Sequence, residues 1–456
     1  MLFAILLTVT VLSIAVWKIA GLIAQPLSFS KTAPAPINEA KILTGGEFFT
    51  KKELFKQKEV SFKDMILSAG AETDEARKQI AMNAQIAKMA QGYSDISFNS
   101  TTGETTLLGK FGVQTIDRDG NLKNEFYLEP NVTVLKVFGL EQKQYTQEFD
   151  DYRIVDIEND GQPEFLAWGS ISGIALFDST GKKIFGLYNR DISVDKLFDE
   201  KEREKEFERV PLVNAAAAGD LDGDGTKEIV FTTSKDEIIA IDRTGKEIWK
   251  YGGQTGGDRL AMIDLDGDLR SEIIETGYSS PKIRASDGTV NKEFDVGNEY
   301  DSEIYNAGDE KKRDLRFAGI AVGTIKIFNE VNVEVFSAEA PLSKFKIDGP
   351  RVKHSPFVSN TGETFEIPDD DGTSESYGLQ MAFAGLKKNE EPYIAAASGF
   401  PMYDRANFYL YSTDGKLIYH ELLPEETREI ITVRNENGLD DIIVLGKTTV
   451  WRYSVK

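Results

Sequence analysis

Residues 215–233, AAAAGDLDGDGTKEIVFTT, combine an acidic turn with an apolar run. The turn places Asp220, Asp222 and Asp224 within five residues, and the β-branched residues that follow are typical of a strand. Carboxylates this close repel one another. The stretch is therefore either a solvated turn before a strand or a loop that a cation neutralises.

The same unit recurs along the chain as an acidic turn, an apolar strand, a second strand that ends in a Gly turn, and a third strand. Clear copies span residues 155–188, 219–251 and 263–294. Aligning them matches Glu164, Glu228 and Glu272, and also the hairpin glycines Gly181, Gly245 and Gly288. Weaker copies span residues 111–128, 313–337, 407–423 and 431–453.

Repeats of roughly 40 to 50 residues with about four strands each are typical of a β-propeller. One such blade cannot bury both faces of its sheet, so blades must stack around an axis. Residues 93–456 divide into about seven units, which predicts an all-β, seven-bladed propeller with charged or acidic insertions at 195–209 and 345–378. The last unit lacks a full set of strands. We expect a segment from the N-terminal side to complete its sheet and close the ring.

The opening loop places carboxylates at positions 1, 3, 5 and 9, namely Asp220, Asp222, Asp224 and Glu228. Oxygen ligands at alternating positions of a tight loop can converge on one point, and the carbonyl at position 7, that of Thr226, adds another. Gly225 at position 6 permits the sharp turn. An all-oxygen set without His or Cys selects a hard cation, and calcium suits its flexible coordination better than magnesium. The sequence therefore predicts Ca²⁺ as a cofactor.

The same spacing predicts two further metal sites. One comprises Asp156, Glu158, Asp160 and Glu164, and the other Asp264, Asp266, Asp268 and Glu272. In the second, Leu269 replaces the turn glycine. A fourth copy, with Val433, Asn435, Asn437 and Asp441 at the four positions, is predicted to have lost its metal. Single Asp-Gly turns are ordinary hairpin chemistry, but three copies in register would pack a dozen carboxylates that need neutralising.

The DLDGDGTKEIV unit resembles the FG-GAP/VCBS repeats of integrin-α-like propellers, and this resemblance implies calcium in the blade loops. The stretch AIDRTGKEIW, residues 240–249, is also similar to the blade motif of quinoprotein-like and outer-membrane assembly propellers, which implies a Trp docked on the neighbouring blade. The motif Trp occurs only once, and the vicinal cysteines of quinoprotein dehydrogenases are absent. The resemblance covers residues 93–456. It implies fold and calcium more than activity, because such propellers serve adhesion, scaffolding, lectin and lyase roles.

The N-terminus departs from this pattern. Residues 2–24 are apolar except for Lys18 and small polar residues, and as a helix rising about 1.5 Å per residue they would cross a hydrocarbon core of roughly 30 Å. They form either an uncleaved anchor or a cleaved signal peptide, and the anchor is favoured because the n-region lacks basic residues and Leu22 makes a poor cleavage site. We expect residues 1–25 to be the anchor or signal, 26–60 a linker, 61–92 a helical segment and 93–456 the propeller. The propeller would lie outside the cytoplasm, periplasmic or extracellular, or be secreted if the segment is cleaved.

Composition limits the partners and the chemistry. The net charge of −22 argues against nucleic acid or anionic lipid surfaces, and the absence of Cys excludes disulfides, zinc–thiolate sites and Cys nucleophiles. The two histidines, His354 and His420, are interpreted as surface or turn residues, and no catalytic motif is present, so we expect a non-enzyme. The predicted function is a membrane-tethered scaffold or adhesion module that binds protein partners, such as a membrane complex. The alternative is a lectin or calcium-assisted polysaccharide lyase that binds carbohydrate.

Overall fold

A computed structural model describes most of the repeat region. The described residues are 49–57, 92–188, 205, 209–252, 259–276, 282–293, 303–306, 315–346, 357–358, 364–365, 373–388, 390–400 and 405–456, with gaps of one to four residues inside the longer ranges. The predicted membrane segment 1–25, the helical residues 61–91, His354 and most of the insertion 195–209 lie outside this set. Within the set, no helix has the length and hydropathy needed to cross a membrane.

The chain divides into two compact units, Met1–Lys41 with Phe345–Thr373, and Ile42–Lys344 with Ser374–Lys456. In the larger unit, the described residues form seven antiparallel sheets of four strands each, here called blades 1 to 7. The first strand is β1 (Phe49–Lys56). Blade 1 contains β2 (Tyr93–Asn99), β3 (Glu104–Gly109), β4 (Gly112–Ile116) and β5 (Leu122–Phe126). A separate hairpin, β6 (Asn131–Val137) with β7 (Leu140–Thr146), follows.

The next blades repeat the same four-strand order. Blade 2 contains β8 (Asp151–Val155), β9 (Glu164–Gly169), β10 (Gly173–Phe177) and β11 (Lys183–Leu187), and blade 3 contains β12 (Val213–Gly219), β13 (Glu228–Thr233), β14 (Glu237–Ile241) and β15 (Glu247–Gly252). Blade 4 contains β16 (Arg259–Ile263), β17 (Glu272–Thr276), β18 (Lys282–Arg284) and β19 (Val290–Glu293), and blade 5 contains β20 (Glu303–Asn306), β21 (Leu315–Ala321), β22 (Thr324–Asn329) and β23 (Glu334–Glu339).

Short strands separate blade 5 from the last two blades. They are β24 (Lys344–Lys346), β25 (Phe357–Val358), β26 (Thr364–Phe365) and β27 (Thr373–Glu375), with β24 paired to β27 and β25 to β26. Blade 6 contains β28 (Tyr377–Ala384), β29 (Tyr393–Phe400), β30 (Arg405–Tyr411) and β31 (Leu417–Leu423). Blade 7 contains β32 (Thr427–Arg434), β33 (Asp440–Gly446), β34 (Thr449–Val455) and β1.

The seven blades form a closed ring. The contacts between neighbouring blades are β2 with β8, β9 with β12, β12 with β16, β21 with β28, β28 with β32 and β32 with β2. Between blades 4 and 5, Phe328 packs against Ile274 and Ile283. The contacts involve mainly the first strands, which therefore lie innermost, while the fourth strands form the outer edge. This arrangement is a seven-bladed β-propeller, as the repeats predicted.

The ring closes as expected, with a strand from the N-terminal side completing the last blade. β1 pairs antiparallel with β34, from Phe49 opposite Val455 to Lys56 opposite Thr449. Phe49 packs edge-on against Tyr419 and Tyr453, with ring centroids 5.3 and 5.7 Å away. The closing strand comes from the range assigned to the linker, 26–60, so residues on both sides of the boundary at 93 belong to the sheets.

The middle strands are buried on both faces, because each lies between two neighbouring blades. In β9, Phe165 packs in a cluster with residues of blade 1, while Leu166 packs in a cluster with residues of blade 3. β33 shows the same alternation, with Ile443 facing blade 1 and Ile442 facing blade 6. This two-sided burial explains why the second strand of each repeat reads as a continuous apolar run rather than an alternating one.

A β-bulge recurs near the start of the outermost strand in six blades. The residues at the register shift are Lys123, Ile184, Ile248, Asn291, Val335 and Ile418. In blade 3 the residue after the bulge is Trp249. Trp249 and Tyr251 pack on the hairpin turn of blade 4, which contains Gly288. A Cβ placed on Gly288 would be 2.7 Å from Tyr251 Cε2. Phe185 of blade 2 contacts Gly245 of blade 3 in the same way.

The hairpin turn of blade 1 packs most tightly of all, against the closing strand. Gly120 has φ +89°, and a Cβ placed there would lie 1.8 Å from the backbone oxygen of Leu54. We expect Gly120→Ala to lower the free energy of unfolding by about 3 kcal/mol, because the left-handed backbone and the clash with β1 both oppose it. Urea unfolding would measure the loss.

Gly438→Ala is the matched control. Gly438 has φ +73°, but a Cβ placed on it would have no atom within 4 Å, so this variant should lose only the backbone contribution of about 1 kcal/mol. Equal losses in the two variants would contradict a tightly packed closure.

Candidate metal centres

The three predicted metal loops occupy equivalent places in blades 2, 3 and 4. Each joins the first strand of its blade to the second, and we call them loop 2 (residues 156–163), loop 3 (220–227) and loop 4 (264–271). Loops that join first to second strands all lie at one end of a propeller. The sequence periodicity therefore places all three acidic segments on one face of the ring.

Loop 3 is held by its own carboxylates. Asp220 accepts the N–H groups of Gly223 at 2.7 Å and Gly225 at 2.8 Å, one on each oxygen. Asp222 Oδ1 accepts the N–H of Asp224 at 3.1 Å, and Asp224 Oδ1 accepts that of Thr226 at 2.7 Å. These bonds fix the direction of all three side chains.

Loop 4 repeats this pattern despite its different turn residue. Asp264 accepts the N–H groups of Gly267 at 2.7 Å and Leu269 at 3.2 Å, while Asp266 accepts that of Asp268 at 3.1 Å. Leu269 has φ +74° and is 69% exposed, so it adopts the backbone conformation of Gly225 with its side chain in solvent. Replacement of the turn glycine has therefore not changed the loop.

The aspartates of loops 3 and 4 converge. In each loop, one oxygen from each of the three side chains lies within 4.8 Å of the others, in the sets Asp220, Asp222 and Asp224, and Asp264, Asp266 and Asp268. Asp222 and Asp224 make no ion pair with any described Lys or Arg, and the same holds for Asp266 and Asp268. Each set is thus a concentration of negative charge with oxygen donors only.

The glutamates predicted as further ligands have a different position. Glu228 Oε2 accepts the N–H of Leu221 at 2.8 Å, and Glu272 Oε2 accepts that of Leu265 at 2.7 Å. Both therefore lie outside the converging sets found among the described residues. Glu164 accepts the N–H of Ile157 at 2.7 Å in the same way.

Burial raises the pKa of all three glutamates. For Glu228, desolvation is the largest cause, the bond from Leu221 opposes it, and the charges of Asp222, Asp220 and Asp224 raise the pKa further. The same balance raises the pKa of Glu164 and Glu272. The folded state therefore resists ionisation of these groups unless positive charge is brought close.

Loop 2 differs because an arginine pairs with one of its carboxylates. Asp156 accepts the N–H groups of Asp160 and Gly161, both at 3.0 Å, but Glu158 forms an ion pair with Arg243 from the hairpin turn of blade 3. Asp156, Glu158 and Asp160 are not among the converging sets in the described part of the chain. Sequence reasoning missed Arg243. The signal was its place two residues before a hairpin glycine, which puts it beside the acidic loop of the preceding blade.

Backbone hydrogen bonds join these loops across the seams between blades. The N–H of Lys227 in loop 3 donates to the carbonyl of Ile157 in loop 2 at 2.8 Å. The N–H of Ser271 in loop 4 donates to the carbonyl of Asp220 at 2.5 Å. An ion held in loop 3 would therefore stiffen the seam to blade 4 as well as its own loop.

The fourth copy, in blade 7, forms a shorter turn. Asn435 Oδ1 accepts the N–H groups of Asn437 and Leu439 at 3.0 and 3.2 Å, and Arg434 Nε lies 3.2 Å from Asp440. Asn435 Nδ2 donates to Asp441 at 3.0 Å. Amides and an arginine therefore occupy the turn of blade 7, where loops 3 and 4 carry aspartates.

His420 corrects an expectation from the sequence, because it is not a surface or turn residue. It lies within β31, is 3% exposed, and stacks on Tyr409 with ring centroids 5.0 Å apart. Its Nε2 lies 3.2 Å from Asn407 Oδ1, and burial lowers its pKa to about 4. The aromatic and apolar residues around it keep the ring neutral and make it part of the core of blade 6.

Comparisons with known proteins give structural similarity only. No family model matches the chain, and no curated protein matches it. Its fold is similar to that of BBS1N in the crystal structure of BBS1N in complex with ARL6DN, with 8% identity, a TM-score of 0.47, and coverage of 79% of this chain and 91% of that chain. It is also similar to BamB from Moraxella catarrhalis, with 12% identity, a TM-score of 0.39, and coverage of 79% and 85%.

The raised pKa of Glu228 gives a prediction about pH. Since the folded state binds this proton more tightly than the unfolded state, ionisation costs stability as pH rises above the ordinary value of 4.5. In chelator at pH 7, Glu228→Gln should be more stable than the wild type, because glutamine keeps an acceptor for Leu221 without the buried charge. The gain should vanish below pH 4.5, as measured by urea midpoints across the range. A gain that does not change with pH would contradict this assignment.

Proposed function

We propose that this protein is a calcium-stabilised β-propeller scaffold, of the FG-GAP/VCBS type, that binds protein partners outside the cytoplasm and is tethered to the membrane through residues 2–24. The observation that carries the calcium assignment is the convergence of three aspartate oxygens in each of loops 3 and 4. Residues 2–24 lie outside the described set, so the tether rests on their composition.

The donor set fits a hard divalent cation. Each site offers three carboxylates at positions 1, 3 and 5, as in calcium-binding loops, and no nitrogen or sulfur donor. Asp222 and Asp224 each use Oδ1 for a backbone N–H, which leaves Oδ2 available. The glutamate at position 9 instead ties the loop to the second strand. We therefore assign the protein ligands to the three aspartates, with main-chain carbonyls or water completing the shell.

Calcium would act structurally. It would offset the repulsion among the aspartates and lower the cost of ionising Glu228 and Glu272 behind them. Because the loops are bonded to neighbouring blades, a bound ion would stabilise the seams of the ring. An ion that binds only the folded state raises its stability by mass action, which suits a compartment rich in calcium.

Protein binding is supported by the outer edge of the propeller. The exposed large apolar side chains of the described outermost strands are Ile184, Ile248, Tyr251, Val290 and Val335, which lie in blades 2 to 5. Outermost strands also present main-chain donors and acceptors at the rim, and an extended segment of a partner can pair with such an edge. Each of these four neighbouring blades therefore offers an exposed apolar side chain beside its edge, which a pairing segment could cover.

Calcium should raise the melting temperature of the purified protein, and EGTA should reverse the rise. At a calcium concentration 100 times Kd, each occupied site would add about 2.7 kcal/mol. Asp222→Asn and Asp266→Asn should each remove part of the rise, because each deletes one charge from a converging set.

Asp236→Asn is the control for this experiment. Asp236 is exposed, lies outside the loops and has φ +56°, a conformation that Asn accepts. It should keep the full response to calcium. A melting temperature that EGTA leaves unchanged would refute the calcium assignment.

The scaffold assignment predicts a co-purifying protein of fixed stoichiometry when the tagged full chain is extracted from membranes in calcium buffer. Ile248→Lys should abolish the association, because a charge at the exposed bulge of β15 cannot be buried against a partner. Thr101→Lys is the control, since Thr101 is exposed on the turn between β2 and β3 of blade 1, outside the rim of blades 2 to 5. Absence of a partner from the wild type, or equal recovery with Ile248→Lys, would contradict the scaffold assignment.

A further inference from the structure

The degenerate fourth loop lines a cavity that the metal loops do not explain. The cavity has a volume of 360 Å³ and lies at the seam between blades 7 and 1. Its walls are the β32–β33 turn, with Asn435 and Asn437, and the β4–β5 turn, with Arg118. Its volume falls within the usual range for small-molecule sites.

Arg118 occupies the same place in the repeat as Arg243. Each lies two residues before a hairpin glycine and directly after an aspartate, in Asp117-Arg118-Asp119-Gly120 and Asp242-Arg243-Thr244-Gly245. Both belong to the third-to-fourth strand turn of their blade. Arg243 reaches Glu158 of the preceding blade, whereas the side chain of Arg118 lies over Phe98 and beside Gly103 of its own blade, where a Cβ on Gly103 would be 2.8 Å from Arg118 Nε. The two arginines form an internal comparison between seams.

The two arginines differ in what faces them. Arg243 forms an ion pair with Glu158 of loop 2. Arg118 makes no ion pair with any described carboxylate; its guanidinium instead lies over the ring of Phe98, 5.8 Å from the centroid. Phe98 also lines the cavity, so this guanidinium is held at the cavity wall by a cation–π contact.

Two other arginines lie at the same cavity, but each is paired with an aspartate: Arg434 Nε is 3.2 Å from Asp440 and Arg452 Nη1 is 4.0 Å from Asp441. Arg452 Nη2 donates to the main-chain oxygen of Arg118 at 2.6 Å, and Arg434 Nη1 donates to the carbonyl of Gly438 at 2.9 Å. Both line the cavity, together with the apolar Leu54 and Ile443. The site thus combines an apolar floor with guanidinium groups at its rim.

The acidic residues of the cavity differ in whether their carboxylates are paired with a basic residue. Asp441 lies 4.0 Å from Arg452 Nη1 and accepts a hydrogen bond from Asn435, so its charge is already used. Asp119 and Glu436 are exposed and make no ion pair with a described basic residue. Both line the cavity and would compete with a bound anion.

We propose that this cavity binds a carboxylate that carries an apolar group, with Arg118 as the primary anion contact and Leu54, Phe98 and Ile443 as the apolar floor. Arginine binds carboxylates through paired, charge-assisted hydrogen bonds. The carboxylate of the ligand would pair with Arg118 as the carboxylate of Glu158 pairs with Arg243. A free small carboxylate and the C-terminal residue of a peptide share this chemistry. The proposal does not depend on calcium or on the outer-edge partner.

Calorimetric titration of the full chain with three probes tests the ligand class. N-acetyl-leucine should bind, and N-acetyl-leucine amide should not, because only the first carries a carboxylate. The peptide Ala-Ala-Ala-Ala-Leu with a free C-terminus distinguishes the sources: tighter binding than N-acetyl-leucine indicates a peptide C-terminus, and equal or weaker binding indicates a small carboxylate. Binding of the amide as tightly as the acid, or binding of none of the probes, would overturn the proposal.

Variants test the assigned contact. Arg118→Gln should weaken acid binding about tenfold, since it removes a charged donor but keeps the main-chain oxygen that Arg452 contacts. Arg243→Gln, at the equivalent position, should leave the affinity unchanged. Glu436→Gln should strengthen binding, because it removes a competing acid. A gain in affinity cannot be produced by a variant that merely fails to fold. Equal effects of Arg118→Gln and Arg243→Gln, or no gain with Glu436→Gln, would contradict the assigned site.

Discussion

Two-sided burial of the central strands is the constraint on which the structure depends. β13 and β33 are buried at every position, so each blade has apolar side chains on both faces that only two different neighbours can cover. An open row of blades would leave one face of each terminal blade in water. Closure by β1 removes both exposed faces at once. Phe49 and Leu54 lie on opposite sides of the sheet of this strand. Phe49 packs in the cluster that joins blade 7 to blade 6, and Leu54 packs in the cluster that joins blade 7 to blade 1.

The propeller architecture could be predicted from the sequence because each repeat marks the positions of its strands and turns. Acidic turn, apolar strand and hairpin glycine recur at fixed spacing, and blade number and closure follow from them. The docking aromatics could not be predicted in the same way. Trp249 is identified by resemblance, whereas in other blades the residue after the same bulge is Phe or Tyr instead of Trp, namely Phe185, Phe336 and Tyr419. A β-bulge is defined by which residues pair between two strands. The residues that follow it can therefore be recognised as equivalent only from the strand register in the structure.

The candidate sites show a similar limit. Alternating aspartates predicted converging carboxylates, and loops 3 and 4 bring them together. Spacing alone did not reveal that Glu228 would turn back to Leu221, because a carboxylate at position 9 can reach either an ion or the strand behind it. Nor did it reveal Arg243, which belongs to a different blade from the loop it neutralises. Contacts across a seam join residues far apart in sequence.

The residues that face the carboxylates of the first-to-second strand turns differ from blade to blade. In loop 2 Arg243 pairs with Glu158, and in the turn of blade 7 Arg434 pairs with Asp440 and amides take other positions. In loops 3 and 4 the aspartates at positions 3 and 5 make no ion pair with a described basic residue. Loop 4 also carries Leu269 at positive φ, a costly conformation for leucine, in a segment that donates two backbone hydrogen bonds to Asp264. The strained residue occurs in loop 4 only, because Gly225 takes the same backbone conformation in loop 3. What the two adjacent loops share is the convergence of their aspartates, which is the basis for proposing a cation there. At the opposite seam Arg118, which makes no ion pair with a described carboxylate, is the basis for proposing an anion.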